Sequence, residues 1–211
     1  MPNTKTIGIF IYENFEPIDV WGFVQAFAIA RFLGQGYADK GPYPFQIVVI
    51  AKTMDPVRSY NGPRVLPDMT RQEALTKPFD VLMIPGGRGT EDVLDTITLD
   101  WVRAMDAKVP LMTSVCTGAG VLAKAGLLNG KPATTNHNAF DWIVTLGPDV
   151  LWNRTWRWVD AGKYVTSAGV SSGTDMAFYL VAKLAGQAVA DNAAAAAEYH
   201  WQRDPRVALP L

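Results

Sequence analysis

Apolar and polar positions alternate between two periods along this chain. Thr6 to Tyr12 is a continuous apolar run of the kind that forms a fully buried strand. From Ile18 the period changes, and Ile18, Phe23, Phe27, Ile29 and Phe32 fall at helical spacing, with Pro17 suited to helix entry and Gly34 and Gly36 marking its end. Phe45 to Ala51 predicts a second strand. The stretch VRSYNGPRVLPDMT, with Asn61-Gly62 at its turn, predicts a short hairpin elaborating the sheet. Val81 to Ile84 predicts a third strand of parallel type. Helical segments over Thr90 to Leu94 and Leu99 to Ala107 then return the chain to a strand at Leu111 to Val115.

Downstream, a short strand is expected around Ala133-Thr134, a polar junction over Thr135 to Asn138, and a helix over Ala139 to Leu146 closed by Gly147-Pro148. TWRWVDAGKYVTS predicts a hairpin about Ala161-Gly162. A Gly/Ser loop then leads into a helix within AGVSSGTDMAFYLVAKLAG, and Val189 to Trp201 predicts a last helix. Strand and helix in alternation imply an α/β fold whose mostly parallel sheet carries helices on both faces.

One stretch, LMTSVCTGAGVLAKAGLL from Leu111 to Leu128, concentrates the chemistry. A strand ends at Cys116, Thr117-Gly118 turn, and apolar positions resume at helical spacing until Gly126. A cysteine at such an elbow is lifted off the sheet, and the N-terminus of the following helix favours its thiolate. A lone cysteine is more often a small buried hydrophobe. Here the small residues that follow clear room for a substrate and let backbone N–H groups face it, as Gly118 would. Gly86 and Gly87, in PGGRGT at the end of the Val81 strand, offer further bare N–H groups where an α/β sheet places its ligand site.

Carboxylates cluster before the first helix in ENFEPID. Glu13 and Glu16 suit solvent or the helix dipole, whereas Asp19, between Ile18 and Val20-Trp21, is placed to face the strand ends. His137 in the polar junction is a candidate partner for Cys116, though loop histidines more often cap or face solvent. No HxE, CxxC or HExxH spacing marks a metal site, and GGRG and GAG lack the setting of a dinucleotide fingerprint, so neither metal nor cofactor is expected.

Composition narrows the field. The 211 residues, 49% hydrophobic and 18% charged, suffice for one domain over 1–211, with no linker-like break. A net charge of −1 leaves no footprint for nucleic acid or an anionic membrane, and a small-molecule substrate is the expected partner. A single cysteine excludes an internal disulfide, and the apolar run in MPNTKTIGIFIY is too short for a signal peptide or a span, so a cytoplasmic location is expected. Trp152, Trp156, Trp158 and Trp201 point to core packing or a subunit interface.

IDVWG, PGGRGT, SVCTGAGVLAKAGLLNGKPATT and AGVSSGTDMAFYLVAKL resemble the corresponding motifs of the ThiJ/PfpI superfamily, within the class I glutamine amidotransferase-like fold. The likeness covers nearly the whole chain and is nearest to the branch holding isonitrile hydratases and the sensor domains of AraC-type regulators. It implies a flavodoxin-like three-layer sandwich, a homodimer, and a catalytic set of Cys116, Thr117 and Asp19, with Gly86, Gly87 and Gly118 at the intermediate. Many members carry histidine directly after the cysteine or in a TTH junction. Those places here hold Thr117 and Asn136, with His137 one position on, which argues against a Cys-His dyad.

The activity so implied is cofactor-free hydration of an isonitrile to an N-substituted formamide, with Trp21 or Trp142 lining an apolar pocket and Glu16, Asn136 and His137 as further candidates. A glyoxalase or deglycase activity and a ligand-sensing role are the alternatives, the last disfavoured by the lack of a basic face, with a redox-stress role for Cys116 also open. Two expectations concern the elbow: strained backbone at Cys116, and one proton shared between Asp19 and a Cys116 thiolate.

Overall fold

The computed structural model describes residues 3–207. Its elements, in chain order, are β1 (Lys5–Phe10), α1 (Pro17–Ile29), β2 (Phe45–Ala51), β3 (Val57–Arg58), β4 (Arg64–Val65), β5 (Met69–Thr70), α2 (Arg71–Ala74), β6 (Val81–Ile84), α3 (Thr96–Asp106), β7 (Leu111–Ser114), α4 (Gly118–Lys124), β8 (Pro132–Ala133), α5 (Phe140–Leu146), β9 (Leu151–Trp152), β10 (Trp158–Ala161), β11 (Tyr164–Ser167), α6 (Ser171–Ala185) and α7 (Gln187–Ala196). A 3₁₀ turn at Glu91–Val93 stands where a helix over Thr90 to Leu94 is expected.

Seven strands form the central sheet in the order β10-β11-β7-β6-β1-β2-β5. Every pairing is parallel except the β10–β11 hairpin. β1, β6 and β7 are almost wholly buried, as their unbroken apolar runs require of strands covered on both faces. α1, α6 and α7 pack together as one helical layer, and α3, α4 and α5 as the other, which makes the flavodoxin-like α/β sandwich. Among the described residues no helix is long and apolar enough to cross a membrane.

The differences from the expected elements have local causes. The hairpin about Asn61-Gly62 forms, but β3 and β4 make a separate two-stranded sheet. Phe32 lies beyond α1, which stops when Ala30 turns extended (ψ 140°). The last helix ends at Ala196 and not at Trp201, because Glu198 takes a left-handed backbone (φ 50°) and the chain leaves the helix there. Trp158 and Trp201 are buried, whereas Trp156 is exposed.

The topology sets the position of the site. From β1 the chain moves outward to β2, then crosses back to place β6 on β1's other side, with β7 beyond it. The direction of winding therefore reverses at β1, and the loops after β1, β6 and β7 diverge over the carboxyl ends of the strands. An open α/β sheet leaves its crevice at this point.

Candidate active site

The three loops bring Asp19, Gly86 and Cys116 together from positions up to 97 residues apart in the chain. Cys116 follows β7 at φ 58°, a left-handed conformation that a side-chain-bearing residue adopts only when its surroundings hold it there. They do so here: its N–H reaches the carbonyls of Ser167 and Ala168 (3.2 and 3.1 Å), and its own carbonyl accepts the Thr135 hydroxyl at 2.9 Å. The strained elbow expected at this residue is present.

The glycines serve the elbow in another way than expected. The Gly86 N–H donates to Asp19 Oδ2 (2.8 Å), the Gly87 N–H to Thr117 Oγ1 (3.0 Å), and the Gly118 N–H to the Val115 carbonyl (3.0 Å). None of the three is a free donor for an intermediate. Their value is close approach: a Cβ on Gly86 would sit 2.5 Å from the Thr117 nitrogen, and one on Gly118 would sit 2.2 Å from the Ile84 carbonyl oxygen. Any larger residue would push the loop after β6 away from the elbow.

Asp19, in the first turn of α1, is fully buried. The Gly86 N–H holds Oδ2, while Oδ1 has no hydrogen-bond partner. Among the described residues no cation pairs with the carboxyl, and burial pushes its proton affinity well above the usual aspartate range. Nearby Glu16 pushes the same way, and the Gly86 N–H and the Cys116 side chain pull it back only in part. Its surroundings therefore favour the protonated form of Asp19.

Cys116 departs from the expectation of a ready thiolate. Burial, and after it the neighbouring Asp19, drive the thiol well above its usual range. The Thr117 N–H, the Asn136 side chain and the Thr117 hydroxyl act on the sulfur in the opposite sense. At only 6% exposure, desolvation outweighs the seven-residue helix α4 that begins two residues later. Burial thus favours the neutral form of both groups, a thiol beside a carboxylic acid.

A row of hydroxyls fixes Thr117. Its Oγ1 accepts the Gly87 N–H and lies 2.7 Å from Thr90 Oγ1, which in turn donates to the Gly87 carbonyl at 2.8 Å. Tyr12 Oη, 3.1 Å from Thr90, donates to the Pro85 carbonyl at 2.6 Å. Burial raises Tyr12 far out of its titrating range, so it stays a neutral anchor. With the Tyr12 and Thr90 protons committed to carbonyls, the Thr117 proton can face Thr90 or the sulfur. Tyr12 and Thr90 escaped the sequence reading because nothing local links a strand-end tyrosine to a threonine 78 residues on.

The junction residues separate sharply. Asn136 Oδ1 accepts the Ala139 N–H at 2.9 Å, capping the approach to α5, and this leaves its amide nitrogen to serve the Cys116 sulfur. Gly169 makes room for it, since a Cβ there would come within 2.8 Å of Nδ2. His137 turns away: neither ring nitrogen has a hydrogen-bond partner, burial lowers its proton affinity, and the groups that act on it are Trp156 and Arg154, not Cys116. Both residues lie on irregular backbone between β8 and α5, His137 in a bend, and the cap on Ala139 fixes the Asn136 amide in the inward place.

An open cleft of about 800 Å³ leads to the sulfur. Glu16, Tyr60, Arg88, Glu91, Asn138, Ala139, Trp142 and Val170 line it around Gly87, Cys116, Thr117 and Asn136. Glu16 is half-buried and held toward its neutral form by desolvation. Trp142 is part of the wall. Trp21 is not; it lies on the exposed side of α1. Among the described residues no group of three or more His, Cys, Asp or Glu side chains is placed to hold a metal ion.

A cysteine on a strand-to-helix elbow at the switch point of a doubly wound sheet defines the class by its fold and geometry. The chain belongs to the DJ-1/PfpI family, whose pattern residues 5–183 match. It is 37% identical over 142 residues to the isonitrile hydratase of Pseudomonas putida, which spans 67% of this chain and 60% of that protein. It is 28% identical over 171 residues to the HTH-type transcriptional regulator CdhR of Pseudomonas aeruginosa, spanning 81% of this chain and 49% of the regulator. These matches cover about half to three-fifths of each relative. The crystal structure of a ThiJ/PfpI family protein from Pseudomonas syringae superposes with a TM-score of 0.82 at 28% identity, covering 94% of this chain and 76% of that one.

Proposed function

We propose that the protein hydrates an isonitrile to an N-substituted formamide through a thioimidate on Cys116. The observation that carries this reading is a fully buried Asp19 carboxyl, outside every ion pair among the described residues, beside the buried Cys116 sulfur, with burial favouring the neutral form of both and the Asn136 amide, not His137, acting on the sulfur. Acyl transfer and amide hydrolysis by cysteine use a base that keeps the thiolate ready. An isonitrile asks for something else, because its terminal carbon must receive both the sulfur and a proton.

In the first step the Cys116 sulfur bonds to the terminal carbon while Asp19 delivers its proton to that same carbon, and the carboxylate takes up the proton leaving the thiol. The product is R–N=CH–S–Cys116, and Asp19 is again protonated. Asp19 then protonates the imine nitrogen as water adds to the carbon, and the carboxylate receives the water's proton. Collapse of R–NH–CH(OH)–S–Cys116 forms the carbonyl, breaks the C–S bond and returns the hydroxyl proton to the sulfur through Asp19. The sum is R–NC plus water to R–NH–CHO. Thr117 and the Asn136 amide steady the sulfur throughout, and charge-assisted donors of this kind matter most in a site that excludes water.

The test is a panel of alkyl isonitriles, methylglyoxal and peptides offered to purified protein, with products identified by proton NMR. Formamide that disappears with Cys116→Ala supports the reading. Methylglyoxal turnover alone would replace it with a glyoxalase or deglycase activity, and saturable ligand binding without any turnover would replace it with a sensing role. A homodimer in the cytoplasm belongs to the same proposal, and light scattering that gives a monomer at micromolar concentration would remove that part.

A further inference from the structure

Three short contacts build one wall of the cleft. Phe15 bridges to Ser59 on one side and to Gly87 on the other, and the Tyr60 N–H donates to the Phe15 carbonyl at 2.8 Å. Tyr60 and Arg88 are thereby set side by side, each one residue beyond a bridge. The Arg88 guanidinium carbon lies 5.7 Å from the centre of the Tyr60 ring, so the aromatic face supports the cation in place of a carboxylate.

Arg88 belongs to none of the ion pairs among the described residues, although Glu16 and Glu91 line the same cleft. The backbone just before it is locked, since the Gly87 N–H is held by Thr117 next to the reacting sulfur. A fork of N–H donors is thus presented on a fixed backbone, one residue beyond the Gly87 that bonds to the elbow's Thr117, outside any ion pair among the described residues and over a ring. Elsewhere in the lining, Ala139, Trp142 and Val170 offer apolar surface and Asn138 an uncharged amide, so among the described residues Arg88 is the one cation there.

We propose that Arg88, backed by Tyr60, is a specificity residue that receives a carboxylate carried by the substrate. The inference rests on the isonitrile reading and refines it: the substrate class is an isonitrile whose organic group bears a carboxylate, as when the amino group of an amino acid has become the isonitrile. A planar guanidinium pairs with a carboxylate through two parallel hydrogen bonds, a geometry that an ammonium or an amide cannot reproduce. Such a contact also aligns a small substrate, so its loss reaches the reacting carbon.

The experiment compares isocyanoacetate with its uncharged methyl ester in wild-type, Arg88→Gln and Arg88→Lys protein. The wild type should prefer the carboxylate in kcat/KM by about tenfold or more, the scale of a charged hydrogen bond. Arg88→Gln should collapse that preference through KM, and Arg88→Lys should restore part of it. Equal turnover of acid and ester, or a preference that survives Arg88→Gln, would overturn the inference.

Binding of N-formylglycine and its methyl ester, followed by NMR titration of Cys116→Ala protein, gives a readout without chemistry. If no isonitrile is turned over, the hydration reading falls. The carboxylate site then stands or falls on whether N-formylglycine binds more tightly than its ester in the Cys116→Ala protein and loses that advantage when Arg88→Gln is added.

Discussion

Two aspartates lie equally deep in this protein and meet opposite surroundings. Asp175, in α6, is 1% exposed and fully occupied: its Oδ2 takes both Nε and Nη2 of Arg157, and its Oδ1 takes the Tyr199 hydroxyl and the Gln202 N–H at 3.0 Å each. Among the described residues Asp19 has one backbone N–H, from Gly86, no cation, and an Oδ1 without a hydrogen-bond partner. The first is a carboxylate held by a guanidinium that pins the segment after α7 to the core. The second is a carboxyl whose burial favours its protonated form, beside a buried thiol. Burial alone assigns neither role; what decides is whether the charge finds a partner, since an unpartnered carboxyl answers burial by keeping its proton.

Breaking the Asp175 pair should have the largest effect and should appear in stability. Asp175→Ala strands the 11%-exposed Arg157 side chain and should cost about 3–5 kcal/mol in urea unfolding. A loss below about 1 kcal/mol, the scale of a surface pair, would mean that the tail holds itself.

Asp19→Asn should do the reverse, leaving the fold intact and lowering isonitrile turnover by about a hundredfold or more, the scale of a lost general acid or base. Asp19→Glu should be milder but still impaired, because its extra methylene displaces the carboxyl by about an ångström. Near-normal turnover by Asp19→Asn would send the search for the proton to Glu16.

The same substitution sharpens the contrast through pH. Folding raises the proton affinity of Asp19 above its unfolded value of 3.8, so the native state holds a proton that the unfolded chain has released. The stability this group supplies is complete below that value and declines as pH rises toward the raised native one. Asp19→Asn abolishes the decline, so the variant should gain on the wild type in denaturant midpoint across the window that opens at about pH 4 and extends up to the raised native value. A difference that stays constant over that window would show Asp19 ionised in the native state.

The smallest effect belongs to Asn136→Ala. Removing one donor from the sulfur while Thr117 stays should lower turnover by about tenfold, within the usual worth of one such hydrogen bond, and leave the proton affinity of Asp19 in place. A pH–rate profile checks this: the variant should keep the wild-type shape at reduced height.

Local pattern determined much of this protein. The strand at Leu111, the elbow at Cys116 and the helix after it are legible because period, turn residues and helix start all lie within twenty residues, where backbone preferences act directly. Asp19 could be singled out for the same reason, standing among apolar neighbours in the first turn of a helix. The α/β layers followed from strands and helices in alternation. The reversal at β1, which assembles loops from three distant segments, was left to tertiary structure.

So were the protonation states. A helix N-terminus argues for a thiolate at Cys116, but whether that wins depends on desolvation and on Asp19, and both are properties of the packed crevice. The N–H groups of Gly86 and Gly87 are bare in the sequence and engaged in the fold, because Asp19 and Thr117 arrive from other elements to claim them. Which of Asn136 and His137 faces the sulfur depends on how the irregular junction before α5 is packed and capped, and the pairing of Arg88 with Tyr60 depends on Phe15 bridging two loops. Sequence determines what each residue can do. Contact between residues far apart in the chain decides what each is charged with and what it faces, because electrostatic free energies in a crevice depend on the distances and dielectric that packing creates.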